Sequence, residues 1–163
     1  MEHERFLKDC LHSIDPKADL TIAGSYRRKK ADSGDIDVLV KADHRKICDQ
    51  LIEMLVSKGY LVCELANGKK KYMGISRLHK DMIGRRIDIM YTTPDQYPFA
   101  ILYFTGSSEF NQKMRAKVVD MGMTLNEYSL KDSETMEPVN HIFREEKDIF
   151  EYLNYDYLSP EIR

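Results

Sequence analysis

The stretch that decides the fold is residues 24–40, GSYRRKKADSGDIDVLV, in which a Gly-Ser pair and a basic run lead into an apolar strand. Asp35 and Asp37 lie two positions apart at the start of that strand. Side chains at i and i+2 of a strand project from the same face, so we expect both carboxylates in one pocket. The alternating positions form an apolar row that can be buried: Ile36, Val38 and Val40.

Upstream of the carboxylates, Gly24 and Ser25 can open a turn whose backbone N–H groups and hydroxyl receive an anion. Positive charge stands beside this turn, at Arg27, Arg28, Lys29 and Lys30. A phosphate cradle joined to paired carboxylates is suited to nucleotidyl transfer on Mg²⁺. The structural alternative is a turn that leads into a solvated edge strand. A third carboxylate would decide between the two interpretations.

Residues 85–91, RRIDIMY, supply a candidate for that third carboxylate. The run alternates, so Arg86, Asp88 and Met90 share one face of a predicted strand. Asp88 could simply be exposed on a half-buried antiparallel strand. Beside Asp35 and Asp37 it would instead complete a set of oxygens for two divalent ions, which hold the attacking and leaving oxygens of a phosphoryl transfer. There Asp88 could also accept the proton of the attacking hydroxyl.

Composition predicts a folded domain without a strong overall attraction to nucleic acid. A length of 163 residues is about one domain, and 42% hydrophobic residues can form a core. The net charge is −2, so any DNA contact must come from a local basic patch.

Cysteine usage and hydropathy predict a soluble intracellular protein of the cytoplasm or nucleus. Cys10, Cys48 and Cys63 have no C-x-x-C spacing, and their odd number favours reduced core thiols over a Cys10–Cys63 disulfide. The first residues contain no apolar signal segment. The longest apolar run, residues 99–104, is far shorter than the roughly 18 residues that span a membrane.

Hydrophobic periodicity predicts alternating helices and strands around the central stretch. In order, we expect a helix over 4–14, a strand over 20–22, a helix over 44–57 that ends before Gly59, and strands over 60–65 and 71–75 joined through Asn67-Gly68. The last two strands form a hairpin crowded by Lys69, Lys70 and Lys71. These lysines are either a solvated edge that resists aggregation or a contact to a nucleic-acid backbone.

The motifs GSYRR, SGDIDVL, RRIDI, QYPFAILYFTGS, FNQKMR and GMTLNEY together resemble the family X DNA polymerases of the DNA polymerase beta type. GSYRR and DID recur across the wider nucleotidyltransferase superfamily, whereas YFTGS followed by N-x-x-x-R is more specific to polymerases. The resemblance implies an α/β (α+β) nucleotidyltransferase fold. Its parts would be a mixed-sheet palm over 1–105 with flanking helices and a small α+β thumb over 106–163. About 20 residues precede GSYRR, too few for the lyase and helix-hairpin-helix segments that family members usually carry. The domain organisation therefore resembles that of the minimal viral members of the family.

The resemblance assigns the metal and nucleotide sites residue by residue. Asp35 and Asp37 would bridge two Mg²⁺ ions, for which Mn²⁺ may substitute, Asp88 would hold the catalytic ion, and Arg86 would steady Asp88 and the primer terminus. The implied nucleotide-binding residues are Gly24, Ser25, Arg28, Ser33, Gly34, Tyr103, Phe104, Gly106 and Asn111. Of these, Ser25 and Arg28 would hold the triphosphate. The resemblance also implies a cis peptide at Gly106-Ser107.

A helix over 107–121 would form the start of the thumb, and a second helix over 145–153 would pack against it. The predicted core stripe of the helix over 107–121 is Phe110, Met114, Val118 and Met121, with Ser107 or Ser108 as its N-cap. Asn111 and Arg115 lie four apart on another face, where the resemblance implies contact with the minor groove and the periodicity alone implies a solvated surface. Tyr128 would complete that surface. Ser108 and Gln112 depart from the family pattern, which places an acidic residue and a lysine there.

The predicted function is DNA-directed addition of dNMP to a primer 3′-OH, most plausibly the filling of short gaps in repair. The expected partners are gapped or primer–template DNA and a dNTP, bound by a monomer. Phosphate contacts would come from residues 27–30, the hairpin lysines, Arg86 and Arg115. The alternative is a template-independent nucleotidyltransferase that acts on RNA, a protein or a small molecule, and a DNA-binding module with a vestigial site is a third interpretation.

Overall fold

The strand that carries Asp35 and Asp37 belongs to a five-stranded mixed sheet. The computed structural model describes residues 2–163. In chain order the strands are β1 Asp19–Ile22, β2 Asp35–Lys41, β3 Leu61–Asn67, β4 Lys71–Ser76 and β5 Arg85–Thr92. Their spatial order is β1-β2-β5-β4-β3, in which β2 and β5 are parallel and the other neighbours are antiparallel.

Two amphipathic helices, α1 Glu2–Ile14 and α3 Arg45–Ser57, cover one face of this sheet. Their apolar stripes meet the alternating apolar residues of the strands, as the period-2 pattern predicts. The fully buried members of this core include Leu7, Leu11, Val38, Val40, Leu51, Leu55 and Ile87. One side of β2 and β5 is thereby committed to the core, and their acidic residues lie on the other side.

The opposite face is partly covered by α4 Tyr97–Thr105, which is apolar around its whole circumference. Ala100 and Ile101 pack against Leu39 of β2 and Met90 of β5. Two positions earlier on the same strand faces stand Asp37 and Asp88. Coverage by α4 therefore ends where the carboxylates begin.

The rest of the chain packs around a second core. Its elements are α5 Ser108–Asp120, β6 Met123–Leu125, β7 Leu130–Asp132 and α6 Glu146–Tyr152, which are followed by a 3-10 turn Pro160–Ile162. The short helix α2 Gly24–Arg27 lies apart from this core, against β2 and α4. Phe99 and Leu102 of α4 join Phe110, Met114 and Val118 of α5 in this core. Ser107 caps α5, since its Oγ accepts a bond from the Phe110 N–H at 3.3 Å. The predicted mixed-sheet α+β fold is confirmed.

Four local predictions differ from the structure. The first helix begins at Glu2 rather than Glu4. Met121 is 44% exposed, because it follows the last turn of α5, and Cys63 is exposed on the outermost strand. The hairpin turns at positions 69–70 rather than at 67–68, because two irregularities shift the register of β3 against β4. None of the helices in residues 2–163 has the length and apolar character needed to cross a membrane.

Candidate active site

The predicted catalytic residues meet at the start of the two parallel strands. In the register of β2 with β5, Asp37 is directly opposite Asp88 and Asp35 is directly opposite Arg86. Partner residues in a sheet project to the same face, so the three carboxylates share one face with Arg86. The sequence predicted that these two strands are adjacent. The observed pairing adds that Asp88 lies directly opposite Asp37.

The Gly24 turn lies directly against the Asp37 carboxylate. The backbone N–H of Ala23 donates to Asp37 O at 2.7 Å, and Gly24 has φ +58°. A Cβ on Gly24 would lie 2.0 Å from Asp37 Oδ2, so glycine is required both for the backbone conformation and for space. Gly24 and Ser25 begin α2 rather than an open turn, and they remain beside the carboxylates as expected.

The electrostatics of Asp37 reflect a cluster of acids. Burial raises the pKa of Asp37, and the neighbouring charges of Asp88 and Asp35 raise it further, while Lys71 and Arg28 oppose this shift. Carboxylates that repel one another in this way are a donor set suited to hard divalent cations. Within residues 2–163, no three acidic, histidine or cysteine side chains form a preassembled cage for a metal ion.

Asp88 is buried and engaged by two cationic side chains. Arg86 Nε donates to Asp88 Oδ1 at 3.3 Å, which is the steadying contact expected of it, and Lys71 Nζ donates to Oδ2 at 2.9 Å. The bond to Asp88 raises the pKa of the exposed Arg86. Lys71 was expected on a DNA-facing surface with Lys69 and Lys70, and its ammonium instead points towards the carboxylates.

A cleft of about 560 Å³ brings most of the predicted nucleotide-binding residues together. Its lining comprises Gly24, Ser25, Arg28, Asp35, Asp37, Tyr103, Phe104, Gly106, Ser108, Asn111, Gln112 and Arg115. Ser33 lies at the margin, where its Oγ is 2.7 Å from Ser25 Oγ. Gly34 is exposed, and a Cβ there would meet nothing within 4 Å, so the protein's own contacts do not require glycine at this position.

Arg28 connects the Gly24–Ser25 side of the cleft to the end of α4. Its Nη1 donates to the Thr105 carbonyl, next to Gly106. Its Nε is buried and has no acceptor among the described residues. The cis peptide expected between Gly106 and Ser107 is present.

The far wall of the cleft is built around Tyr103. Asn111 Nδ2 donates to Tyr103 O at 2.8 Å, and the Arg115 guanidinium lies 4.7 Å from the centre of the Tyr103 ring. Phe104 packs edge-on against the same ring. The two α5 residues expected to read the nascent base pair therefore both contact Tyr103.

Three of the predicted DNA-contacting residues lie outside the cleft: Lys69, Lys70 and Tyr128. Lys69 and Lys70 are exposed at the tip of the β3–β4 hairpin, and Lys70 Nζ lies 5.4 Å from the centre of the Tyr128 ring. Tyr128 was expected to continue the surface of Asn111 and Arg115. It lies instead on a second cavity of about 180 Å³ together with Lys70 and Lys71.

One structural feature was missed by sequence reasoning: a buried ion-pair network that involves Arg27. Arg27 Nη2 lies 2.8 Å from Glu146 Oε1, and Arg163 Nη1 lies 3.0 Å from Glu146 Oε2. Arg27 Nη1 also donates to Thr105 Oγ1 at 2.7 Å. Arg27 was expected among the cations that contact phosphate, and its guanidinium is instead paired with Glu146. Its partner is 119 residues away in sequence, which leaves no local signal.

Comparisons with known proteins agree with this geometry. The sequence model described as DNA polymerase beta palm matches residues 1–94, and that described as DNA polymerase beta thumb matches residues 100–163. The chain is 32% identical over 180 residues to DNA polymerase lambda of Rattus norvegicus, covering 99% of this chain and 31% of the relative.

Two further relatives are more distant. One is the DNA polymerase/3′-5′ exonuclease PolX of Bacillus subtilis (strain 168), 29% identical over 142 residues, covering 86% of this chain and 23% of the relative. The other is the DNA nucleotidylexotransferase of Xenopus laevis, 25% identical over 199 residues, covering 96% of this chain and 38% of the relative. The chain thus spans between about a quarter and two fifths of the length of these relatives. With both its palm and its thumb matched, the chain belongs to the family X DNA polymerases of the DNA polymerase beta type.

Proposed function

We propose that the protein is a DNA-directed DNA polymerase that adds dNMP to a primer 3′-OH and fills short gaps during DNA repair. The observation that carries the proposal is the direct pairing of Asp37 with Asp88 on parallel strands, beside a cleft whose far wall bears Asn111 and Arg115. The first feature supplies phosphoryl-transfer chemistry. The second supplies a surface that a nascent base pair can contact.

Family X polymerases generally depend on divalent metal ions, and the residues of this site fit such ions. Three carboxylates share one face of the sheet, and burial together with the charges of Asp88 and Asp35 raises the pKa of Asp37. We propose that Asp35 and Asp37 hold two Mg²⁺ or Mn²⁺ ions and that Asp88 holds one of them. When bound, these ions supply Lewis-acid activation of the hydroxyl and charge stabilisation of the triphosphate.

The chain's own residues would bind and orient the nucleotide. Ser25 offers a hydroxyl at the Gly24 turn, and the buried Arg28 Nε is a donor with no acceptor among the described residues. A triphosphate oxygen would satisfy that donor. Tyr103 and Phe104 would face the sugar, with Gly106 permitting close approach of the backbone.

Asp88 would take the proton of the primer hydroxyl, with Arg86 keeping the carboxylate in position.

We propose a palm over 1–105 and a thumb over 106–163. α4 packs against Leu39 and Met90 of the sheet and also joins the second core, and it is followed by Gly106, where φ is +68°. In this arrangement Asn111 and Arg115 would exchange their contacts with Tyr103 for contacts with a correctly paired base.

The test is primer extension across a one-nucleotide gap with Mg²⁺ and each dNTP supplied alone. We expect insertion only opposite a template base, with the complementary nucleotide preferred. Equal extension of a single-stranded primer would favour a template-independent nucleotidyltransferase instead. One relative is named DNA nucleotidylexotransferase, so the single-stranded primer is a necessary part of the assay.

A further inference from the structure

Lys71 is a half-exposed lysine whose ammonium group reaches a buried carboxylate. It lies on β4 opposite Met90 of β5, which makes Asp88 its diagonal neighbour on the same sheet face. The Lys71 side chain is 39% exposed and that of Asp88 is 7% exposed. The pair, at 2.9 Å, therefore joins the surface of the molecule to the carboxylate cluster.

The same side chain also borders the outer cavity of about 180 Å³ between the hairpin and the thumb. That cavity is lined by Lys70, Tyr103 and Tyr128 as well as by Lys71. A lysine has a flexible four-carbon stem and a strongly hydrated charge, so its ammonium can move by several ångströms at little cost. Lys71 thus has access to two environments, the Asp88 carboxylate and an open surface that carries Lys70.

A divalent cation on Asp88 cannot share the carboxylate with Lys71 without strong repulsion. Both oxygens already accept bonds from cationic groups, Oδ1 from Arg86 and Oδ2 from Lys71. Because Asp88 is buried, like charges gathered around it are poorly screened by water. Binding of a cation at Asp88 therefore favours the state in which Lys71 has moved away.

We propose that Lys71 is an internal counter-ion that competes with the divalent cation for Asp88 and is released to the phosphate backbone when DNA enters. The inference rests on the proposed function, because it takes Asp88 to be a cation ligand. By linkage, whatever removes Lys71 from Asp88 strengthens cation binding, and the cation in turn strengthens DNA binding by the same factor. Lys71 then makes full cation binding conditional on the presence of nucleic acid.

The first test measures Mn²⁺ binding without DNA or nucleotide, from the electron paramagnetic resonance signal of free Mn²⁺ at fixed ionic strength. Lys71→Met is expected to bind Mn²⁺ about fivefold more tightly than the wild type, a typical size for such coupling. Lys69→Met removes the same charge from the same hairpin without touching Asp88, and it should match the wild type. If Lys71→Met binds no tighter, or if both variants tighten equally, the proposal is wrong.

The second test adds a duplex with a one-nucleotide gap. Mn²⁺ that is held by the DNA and by the remaining carboxylates is measured with the Asp88→Asn protein and subtracted, which leaves the binding that depends on Asp88. The affinity of wild-type protein for Mn²⁺ should rise with DNA, and that of Lys71→Met should rise much less. Equal rises would contradict the release of Lys71. Should Lys71→Met fail to fold, the side-chain amine NMR signal of Lys71 in the wild type replaces it. That signal should weaken when Mg²⁺ is added, and a signal that persists unchanged would overturn the proposal.

These readouts are separate from polymerase activity. A protein that passes both binding tests and does not extend primers would overturn the proposed function and leave the role of Lys71 intact. A protein that extends primers and shows no effect of Lys71 on Mn²⁺ binding would overturn this inference alone.

Discussion

Asp37, a proposed metal ligand, is a single residue whose charge lowers the stability of the fold. Burial and the neighbouring Asp88 and Asp35 raise its pKa above the unfolded value of 3.8. A carboxylate with a raised folded-state pKa destabilises the protein wherever it is ionised in that state. The cost is therefore complete at neutral pH, and it declines as the pH falls through the folded-state pKa towards 3.8.

Asp37→Asn should consequently stabilise the metal-free protein, raising the thermal midpoint by about 2 °C at pH 7 in EDTA. The gain should shrink when the melts are repeated near pH 4, where the wild-type carboxylate becomes protonated. Asp32→Asn, at an exposed position nearby, is the matched control and should change the thermal midpoint little. A lower midpoint for Asp37→Asn at pH 7 would show that the carboxylate is not under electrostatic stress.

At the scale of elements, the β3–β4 hairpin is the candidate contact for the DNA backbone. Lys69→Glu with Lys70→Glu should weaken DNA binding and reduce the slope of log affinity against log salt by about 2, because two phosphate contacts are lost. The affinity for dNTP should not change. The measurement is a salt series of binding titrations with fluorescent gapped DNA.

The control for the hairpin is Lys17→Glu with Lys58→Glu, which changes the net charge by the same amount. Both lysines are exposed and lie outside the hairpin, Lys17 between α1 and β1 and Lys58 directly after α3. If the two double variants lose DNA affinity equally, the hairpin lysines act only through the overall charge of the molecule.

Helix α5 carries the predicted dependence on correct base pairing. Arg115 now rests on Tyr103, and a contact to minor-groove acceptors would form only when a paired base fills the cleft. Arg115→Ala should therefore slow correct insertion by about tenfold and incorrect insertion much less. Gln112 lacks the charge and reach of a lysine, so we expect the wild type itself to misinsert readily.

The measurement is single-turnover incorporation of all four dNTPs opposite one template base. Lys113→Ala is the matched control, because Lys113 lies on the same helix and pairs with the exposed Glu109. Equal losses for right and wrong nucleotides would mean that Arg115 does not sense the base pair.

The sequence predicted elements well where local periodicity determines them. The alternation in residues 35–40 and 85–91 placed the carboxylates on one face, because strand geometry alone assigns those positions. Sequence reasoning failed where a long-range contact determines the position of a side chain. The partner of Arg27 lies in α6, and the inward orientation of Lys71 depends on the register of β4 with β5. A lysine on a hairpin is normally solvated, so no sequence pattern indicated an ion pair with Asp88.

At the scale of the whole molecule, Glu146 ties the Arg27 segment to the C-terminus. Glu146 and Arg163 are both buried, and Arg27 completes the network. Burial alone would raise the pKa of Glu146, but the hydrogen bonds from Arg27 and Arg163 outweigh it and lower the value. A depressed carboxylate pKa contributes stability above the unfolded value of 4.5, and that stability is lost as the pH falls through the folded-state pKa.

Glu146→Gln should lower the free energy of unfolding by about 3 kcal/mol at pH 7, because it leaves two arginines without their shared counter-charge. The difference from the wild type should narrow below pH 4.5 as Glu146 becomes protonated. Urea titrations at several pH values measure both effects. Glu151→Gln, exposed on the same helix, is the control, and a Glu146→Gln protein as stable as the wild type would contradict the account.

The most direct test of the central claim is single-turnover gap filling by the wild type and by Asp88→Asn, with Mg²⁺ and the complementary dNTP. Asp88 is paired with Asp37 across the parallel strands and has no structural partner except Arg86 and Lys71 among the described side chains. Asp88→Asn should fold normally, bind gapped DNA, and insert the nucleotide about a thousandfold more slowly or worse. Asp81→Asn, in the exposed loop before β5, should insert at the wild-type rate. Near-normal insertion by Asp88→Asn would contradict the assignment of the active site.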